Sequence, residues 1–165
     1  MEVVPVKNGK NIVYKNDGHC QEGVAYEFHD NGFLYKQTTY KNGRKEGIEL
    51  YWYPNGNICH EINYINNEKN GIYRTWSQSG VLTGEWYYKD NKIHGINHTW
   101  HENGQISSVI EFTDGKIHGL YKQWYPNGQI KFYRIYVNDK INGVCKFWGP
   151  DGILVKDKYA NGIIV

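Results

Sequence analysis

His94 and His118 stand 24 residues apart, both in the run KIHG, and the segment HTWH places His98 and His101 three apart. Histidines at a regular spacing suggest a metal site, and Glu49, Glu61, Glu85, Glu102 and Glu111 are carboxylates of the kind that metal or acid–base chemistry needs. The spacing assembles neither. If each 24-residue step crosses two strands, His94 and His118 are about 9–10 Å apart, whereas two ligands of one zinc must each lie ~2.1 Å from it. Residues three apart on a strand point to opposite faces. The glutamates are scattered over different registers or repeats, and no phosphate-cradling glycine loop, nucleophile–base pair or C-x-x-C motif occurs. The expectation is therefore a chain with no enzymatic activity, no metal and no cofactor, in which His94 and His118 hydrogen-bond turn backbone.

The step of 24 is the organising feature. Gly32, Gly56, Gly80, Gly104, Gly128 and Gly152 form one series and Gly23, Gly47, Gly71, Gly95, Gly119 and Gly143 a second, together 12 of the 19 glycines. Five residues after each glycine of the second series come Phe28, Trp52, Trp76, Trp100, Trp124 and Trp148. Self-similarity at this period marks an array of one supersecondary unit. Within the unit, Val24, Ile48, Ile72, Ile96, Leu120 and Val144 open a first strand that ends at the tryptophan series. Leu34, Ile58, Leu82, Ile106, Ile130 and Leu154 open a second strand, which closes near Tyr40, Tyr64, Tyr88, Phe112 and Tyr136. The pattern has period two, so it reads as strand.

Between the strands stand DNG, PNG, QSG, ENG, PNG and PDG. A two-residue type I′ turn would set the tryptophan and Leu/Ile columns on opposite faces. A three-residue loop, a type I turn followed by a left-handed glycine, pairs Trp124 with Ile130 and accommodates Pro126 at its first position. A second Asn/Asp-Gly-like turn, as in YKNGRKEG and FTDGKIHG, returns the chain to the next unit. The fold class expected is all-β: an elongated single-layer antiparallel meander of consecutive hairpins, about a dozen strands and on the order of 60 Å long. Residues 1–165 form one repeat domain, with a degenerate N-terminal cap copy at 1–22, five full 24-residue repeats at 23–142, and a C-terminal repeat and cap at 143–165. Sheet ends need protection, which Pro5 and the charged run Lys156, Asp157, Lys158 would provide, while the GIIV tail is expected to pair or tuck.

Composition narrows function by exclusion. A formal charge of +2 leaves no footprint for nucleic acid. No run of 18 apolar residues and no signal-peptide pattern occurs, and Cys20, Cys59 and Cys145 fall at three different places in the repeat, so a cytoplasmic, reducing location is expected. The tryptophan column, recurring beside the turn, reads as the core side of the sheet. The opposite face would carry Tyr51, Tyr53, Tyr73, Tyr121, Tyr125 and Phe147, with Tyr35, Tyr87 and Tyr133 from second strands, a surface of the type interfaces favour. Arg44, Lys92, Lys116 and Lys140 recur just after the second turn and would line one long edge, but Glu68, Asp90, Asp114 and Asp139 sit beside them.

With the period, the YPNG turn and the closing YYKDNKIHG and FTDGKIHG laid out, the chain resembles the MORN repeat family, in its 24-residue variant of the bacterial antitoxin-like and large DNA virus type. The resemblance runs from about Gly23 to Gly162, and Gly84, Trp86 and Asn91 depart from it. It implies an elongated, twisted, single-layer sheet and a scaffold for protein interaction or self-association. It also implies two alternatives, an antitoxin-like neutraliser of a partner toxin and, less favoured, a phospholipid-binding module. The partner expected is thus a protein or a second copy, with nucleic acid excluded.

Overall fold

Two turn chemistries in each 24-residue unit force the chain to double back twice, and the result is one continuous antiparallel sheet. The computed structural model describes residues 22–161, with side chains through 156; Pro5 and the GIIV tail lie outside the described residues. Thirteen strands follow in chain order: β1 (Gly23–Phe28), β2 (Leu34–Lys41), β3 (Arg44–Trp52), β4 (Ile58–Ile65), β5 (Glu68–Trp76), β6 (Leu82–Lys89), β7 (Lys92–Ile93), β8 (Gly95–Trp100), β9 (Ile106–Thr113), β10 (Lys116–Trp124), β11 (Ile130–Val137), β12 (Lys140–Trp148) and β13 (Leu154–Asn161). Each pairs with its sequence neighbour, except that β6 pairs with both β7 and β8. No helix occurs among the described residues.

The first turn is the expected three-residue loop. At Tyr125–Gln129 the amide of Gly128 donates to the carbonyl of Tyr125 (2.9 Å), the amide of Tyr125 donates to that of Gln129 (2.8 Å), and Gly128 has φ +82°. A side chain at that φ would be strained, which is why glycine closes every copy. The asparagine of the turn acts twice. Its Oδ1 accepts the amide two residues on, as Asn127 does from Gln129 (3.0 Å), and its Nδ2 donates to a carbonyl in the next turn: Asn31 to Pro54, Asn55 to Gln78, Asn103 to Pro126 and Asn127 to Pro150. The second turn is a two-residue left-handed pair, with Asn66 and Asn67 at φ +51° and +70°. It is also tied to its neighbour, since Asn67 Oδ1 accepts the amide of Lys45 (2.7 Å) and Asn91 Oδ1 that of Lys69 (2.8 Å). Both long edges of the sheet are therefore laced from repeat to repeat.

One feature of the register escapes the sequence pattern. Trp124 pairs with Ile130, but Gln123 pairs with Phe132, so Lys131 is an extra residue in the second strand. The same bulge recurs at Tyr35, Cys59, Thr83, Ser107 and Val155. A single extra residue reverses which face every later side chain of that strand meets.

That reversal corrects the expected division of the faces. Tyr133 pairs with Lys122, whose Nζ lies 5.6 Å from its ring, and Tyr87 pairs with Ile72, so both stand on the tryptophan face and not with Tyr121. Conversely Tyr64, Tyr88 and Tyr136 join the tyrosine face, where Tyr136 lies 6.1 Å from Tyr121. The expectation that the tryptophan column is the core side is likewise overturned. Trp52, Trp76, Trp100, Trp124 and Trp148 are half-buried, and Phe28 is 53% exposed. Every buried apolar side chain among the described residues, namely Ala25, Ile62, Phe132, Tyr136 and Cys145, lies on the tyrosine face, as do the buried polar ones, Thr38, Glu49, Asn97 and Ser108. Rings and lysine side chains on that face cover their neighbours, as Lys45 does the Tyr64 ring at 4.7 Å and Tyr121 the edge of Phe132 at 4.8 Å, so a single layer encloses some of its own side chains without a second sheet.

Candidate functional site

The tyrosine face is positioned by strand alternation: the third and fifth residues counted from each unit's leading glycine meet the bulge residue and three alternate residues of the second strand. From the turn after β1 to β6 the rings form an unbroken file. His29 meets Tyr35 (5.0 Å between centroids), Tyr35 meets Tyr51 (5.7 Å), Tyr51 meets His60 (5.8 Å), His60 meets Tyr73 (5.8 Å) and Tyr73 meets Trp86 (5.3 Å). Mostly edge-to-face or tilted, these are favourable aromatic geometries. Lys69 lies over Tyr73 and Tyr88, 5.1 Å from each centroid.

Under this file sits a carboxylate that is 1% exposed, Glu49. A charge so enclosed persists only if its oxygens are met. Thr38 Oγ1 donates to Oε2 (2.8 Å), Lys45 Nζ stands 2.8 Å from Oε2, and Tyr51 OH donates to Oε1 (3.1 Å). Lys36 Nζ joins at 3.9 Å and bonds Glu27 at 3.1 Å. Burial alone pushes the Glu49 carboxyl up, but the hydrogen bonds from Lys45 and Thr38 and the two lysine charges outweigh it and hold the group below the usual carboxylate range. Burial and the same carboxylate push the Tyr64 phenol up to about 12. His60 is displaced downward by burial and by the charge of Lys69, and its Nδ1 lies 3.2 Å from Tyr73 OH.

The file stops at β8. Trp86 lies across Gly84, where any side chain would overlap the indole. Beyond it, Asn97 stands in the column that holds Tyr73 and Tyr121; its Oδ1 accepts the amide of Tyr87 (2.8 Å) where β7 and β8 break. Thr99 and Ser108 bond each other at 2.6 Å. These small polar groups separate a second aromatic cluster on β10–β12, in which Tyr121 packs on Phe132 (4.8 Å) and Phe132 on Phe147 (6.2 Å). The Arg134 guanidinium sits over both phenylalanines, its Cζ 4.4 Å from one centroid and 4.8 Å from the other.

Of the residues singled out in the sequence, Tyr51, Tyr73, Tyr121 and Phe147 stand together on this face, split between the two clusters. Tyr53 and Tyr125 serve as braces: their hydroxyls donate to the carbonyls of Trp76 (2.8 Å) and Trp148 (3.1 Å) in the next repeat. His29 and His101 make the equivalent contact to Trp52 and Trp124, which assigns His101 to the scaffold. His94 meets the turn backbone as expected, its Nδ1 3.3 Å from the Asp114 amide. Arg44, Lys92, Lys116 and Lys140 are exposed along the second-turn edge. Arg44 and Lys41 line an open polar recess of about 370 Å³ with Asn42, Glu46 and Asn66. Glu46 accepts the Asn66 amide there (2.9 Å). Among the described residues, no three His, Cys, Asp or Glu side chains cluster as a metal site. His60, Trp86, Tyr88, Phe132 and Arg134 belong to the aromatic face and were missed by the sequence pattern, because the bulge hides their parity.

A family model described as a MORN repeat variant matches residues 21–42, 45–66, 69–90 and 117–138, just over half of the chain. The copy it passes over between residues 91 and 116 is the one holding the β7–β8 break. No curated protein matches the chain.

Proposed function

The chain belongs to the MORN repeat variant family, and from that premise we propose that it is a non-catalytic scaffold binding a protein partner, or a second copy of itself, along the tyrosine face. The observation that carries this reading is the aromatic file of β1–β6 and its counterpart on β10–β12: rings concentrated on one face of a single-layer sheet, above which no second layer is described. The few residues that carry most of the energy of protein interfaces are enriched in Trp, Tyr and Arg. An antitoxin-like role is the same physical act with a toxin as the partner.

The test sets one face against the other at exposed positions. Tyr35→Arg (39% exposed) places a charge on the tyrosine face and Ile96→Arg (58% exposed) places one on the tryptophan face. Self-association in sedimentation velocity, or capture of a protein partner, should weaken with Tyr35→Arg alone. Loss with Ile96→Arg alone would move the interface to the other side. A second reading, binding of anionic lipid, draws on the exposed row Arg44, Lys92, Lys116 and Lys140. Vesicle sedimentation that is salt-sensitive and lost on changing Lys92, Lys116 and Lys140 to Glu would favour it.

A further inference from the structure

Charge is distributed unevenly over the tyrosine face. On β1–β4 each buried or half-buried cation faces a carboxylate: Lys36 has Glu27 and Glu49, and Lys45 has Glu49. On β9–β12 the side chains that share the face with Tyr121 are Ser108, Ile110, Phe112, Ile117, Gln123, Phe132, Arg134, Tyr136, Ile141, Cys145 and Phe147, with no acid among them. Arg134 forms no ion pair among the described residues. Its Nη1 lies 3.3 Å from Tyr136 OH, and its Nε is buried without a hydrogen-bond partner. Fixed over two rings, the guanidinium is held in one place and has donors to spare. Lys156, exposed, pairs with Phe147 and so stands in line with Phe132 two strands away, roughly 10 Å.

We infer that the β10–β13 part of the tyrosine face binds an acidic, extended segment of a protein partner, one carboxylate docking on Arg134 and a second reaching Lys156. The inference rests on the tyrosine face being the interaction surface and adds the chemistry of what it takes. Acidic residues two apart in an extended chain present their carboxylates on the same side, roughly 7 Å apart, a spacing that the long Lys156 side chain can meet from the column beside Phe147. A peptide suits the place better than a membrane does, since Arg134 is recessed between rings in the middle of a sheet face, whereas a bilayer needs several projecting cations at one level. The aromatic rings around it give the segment's apolar side chains somewhere to pack.

Fluorescence anisotropy with the full chain tests this, using a labelled dodecapeptide of alternating glutamate and tyrosine and a lysine–tyrosine peptide as its opposite. The acidic peptide should bind and the basic one should not. Arg134→Gln should weaken binding by about tenfold or more, since it removes a partly desolvated charge. Arg134→Lys should restore part of it. Lys156→Glu, at an exposed position where folding is safe, should weaken it several-fold, and Lys140→Gln on the turn edge should not. No binding of the acidic peptide by the folded chain, or binding indifferent to both Arg134→Gln and Lys156→Glu, overturns the inference. Binding of phosphatidylserine vesicles without binding of the peptide overturns it in favour of a membrane. If the peptide fails while Tyr35→Arg still abolishes partner capture, only the acidic chemistry falls and the tyrosine-face scaffold stands.

Discussion

Across β1–β6 the tyrosine face buries a carboxylate and surrounds it with partners; across β10–β12 it holds a guanidinium between two phenylalanine rings, with no carboxylate beside it among the described residues and its Nε left without a hydrogen-bond partner. Both halves are built on the same repeat and the same register. The difference lies in two facing columns: the third residue counted from each unit's leading glycine, Ala25, Glu49, Tyr73, Asn97, Tyr121 and Cys145, and the partners paired with the first five of them, Thr38, Ile62, Trp86, Ile110 and Arg134. A single-layer sheet has no common core to average over its repeats, so each repeat must satisfy its own buried groups with its immediate neighbours. Repeats can therefore diverge in polarity without disturbing the array. One half has closed its charge network and the other has kept an open cation, which is how a uniform scaffold acquires a local preference.

The largest effect expected separates the two faces in the C-terminal half. Phe132 is 8% exposed and touches Tyr121, Phe147 and Arg134. Phe132→Ala should cost about 3–5 kcal/mol by urea denaturation, and half-buried Trp100→Ala should cost less. The reverse order would restore the tryptophan side as the core.

In the N-terminal half the corresponding cut is electrostatic. Glu49→Gln keeps the shape but leaves Lys45 and Lys36 facing a neutral amide, at a cost of about 3 kcal/mol. The low end of the range for a broken buried pair applies because both lysines are partly in water, at 27% and 14% exposure. Because the folded carboxyl sits below its unfolded range, its contribution is complete at neutral pH and disappears as the pH falls below about 4. Stability curves of the parent and Glu49→Gln should therefore converge in acid. Curves that stay parallel would mean that Glu49 is stabilised no more in the fold than in the open chain.

The boundary between the halves offers a sharper test. Gly84→Ala drives a methyl into the Trp86 indole and should cost about 1–3 kcal/mol, with Trp86→Ile as the compensating change that recovers most of it. Additive losses would mean the ring has room to move aside.

How much of this was legible depends on what punctuates the chain. Period, strand number and both turns are written in glycine, asparagine and proline, residues whose backbone geometry is close to unique, and the pairing of Trp124 with Ile130 followed from the turn alone. The bulge is not written in any residue type: Tyr35, Cys59, Thr83, Ser107, Lys131 and Val155 share nothing but position. Alternation alone therefore puts Tyr133 and Tyr87 on the wrong face and gives no sign of Arg134. Nor does the sequence mark Glu49 as buried, since enclosure comes from Thr38, Lys45 and Tyr51, which reach it from other positions in the repeats. Gly84 and Trp86 did stand out as departures, and they prove to be one complementary pair.

The smallest effect concerns the lacing that joins the halves. In four repeats the turn asparagine bridges to a carbonyl of the next turn, and the third repeat has Ser79 instead, whose Oγ reaches the exposed Glu102 carboxylate at 3.2 Å. A serine hydroxyl is too short to span to the backbone that asparagine reaches elsewhere. Ser79→Asn should supply the missing bridge to the Glu102 carbonyl and stabilise the protein by about 0.5–1 kcal/mol, read as a rise in the denaturation midpoint at constant slope. Amide exchange should show where the gain falls: if the bridge couples the halves, slowed exchange will extend into β8 and β9, and if it only tightens one loop, protection will stop at the turn. A null result in stability with the turn protected would place the junction's weakness at the β7–β8 break and not at the lacing.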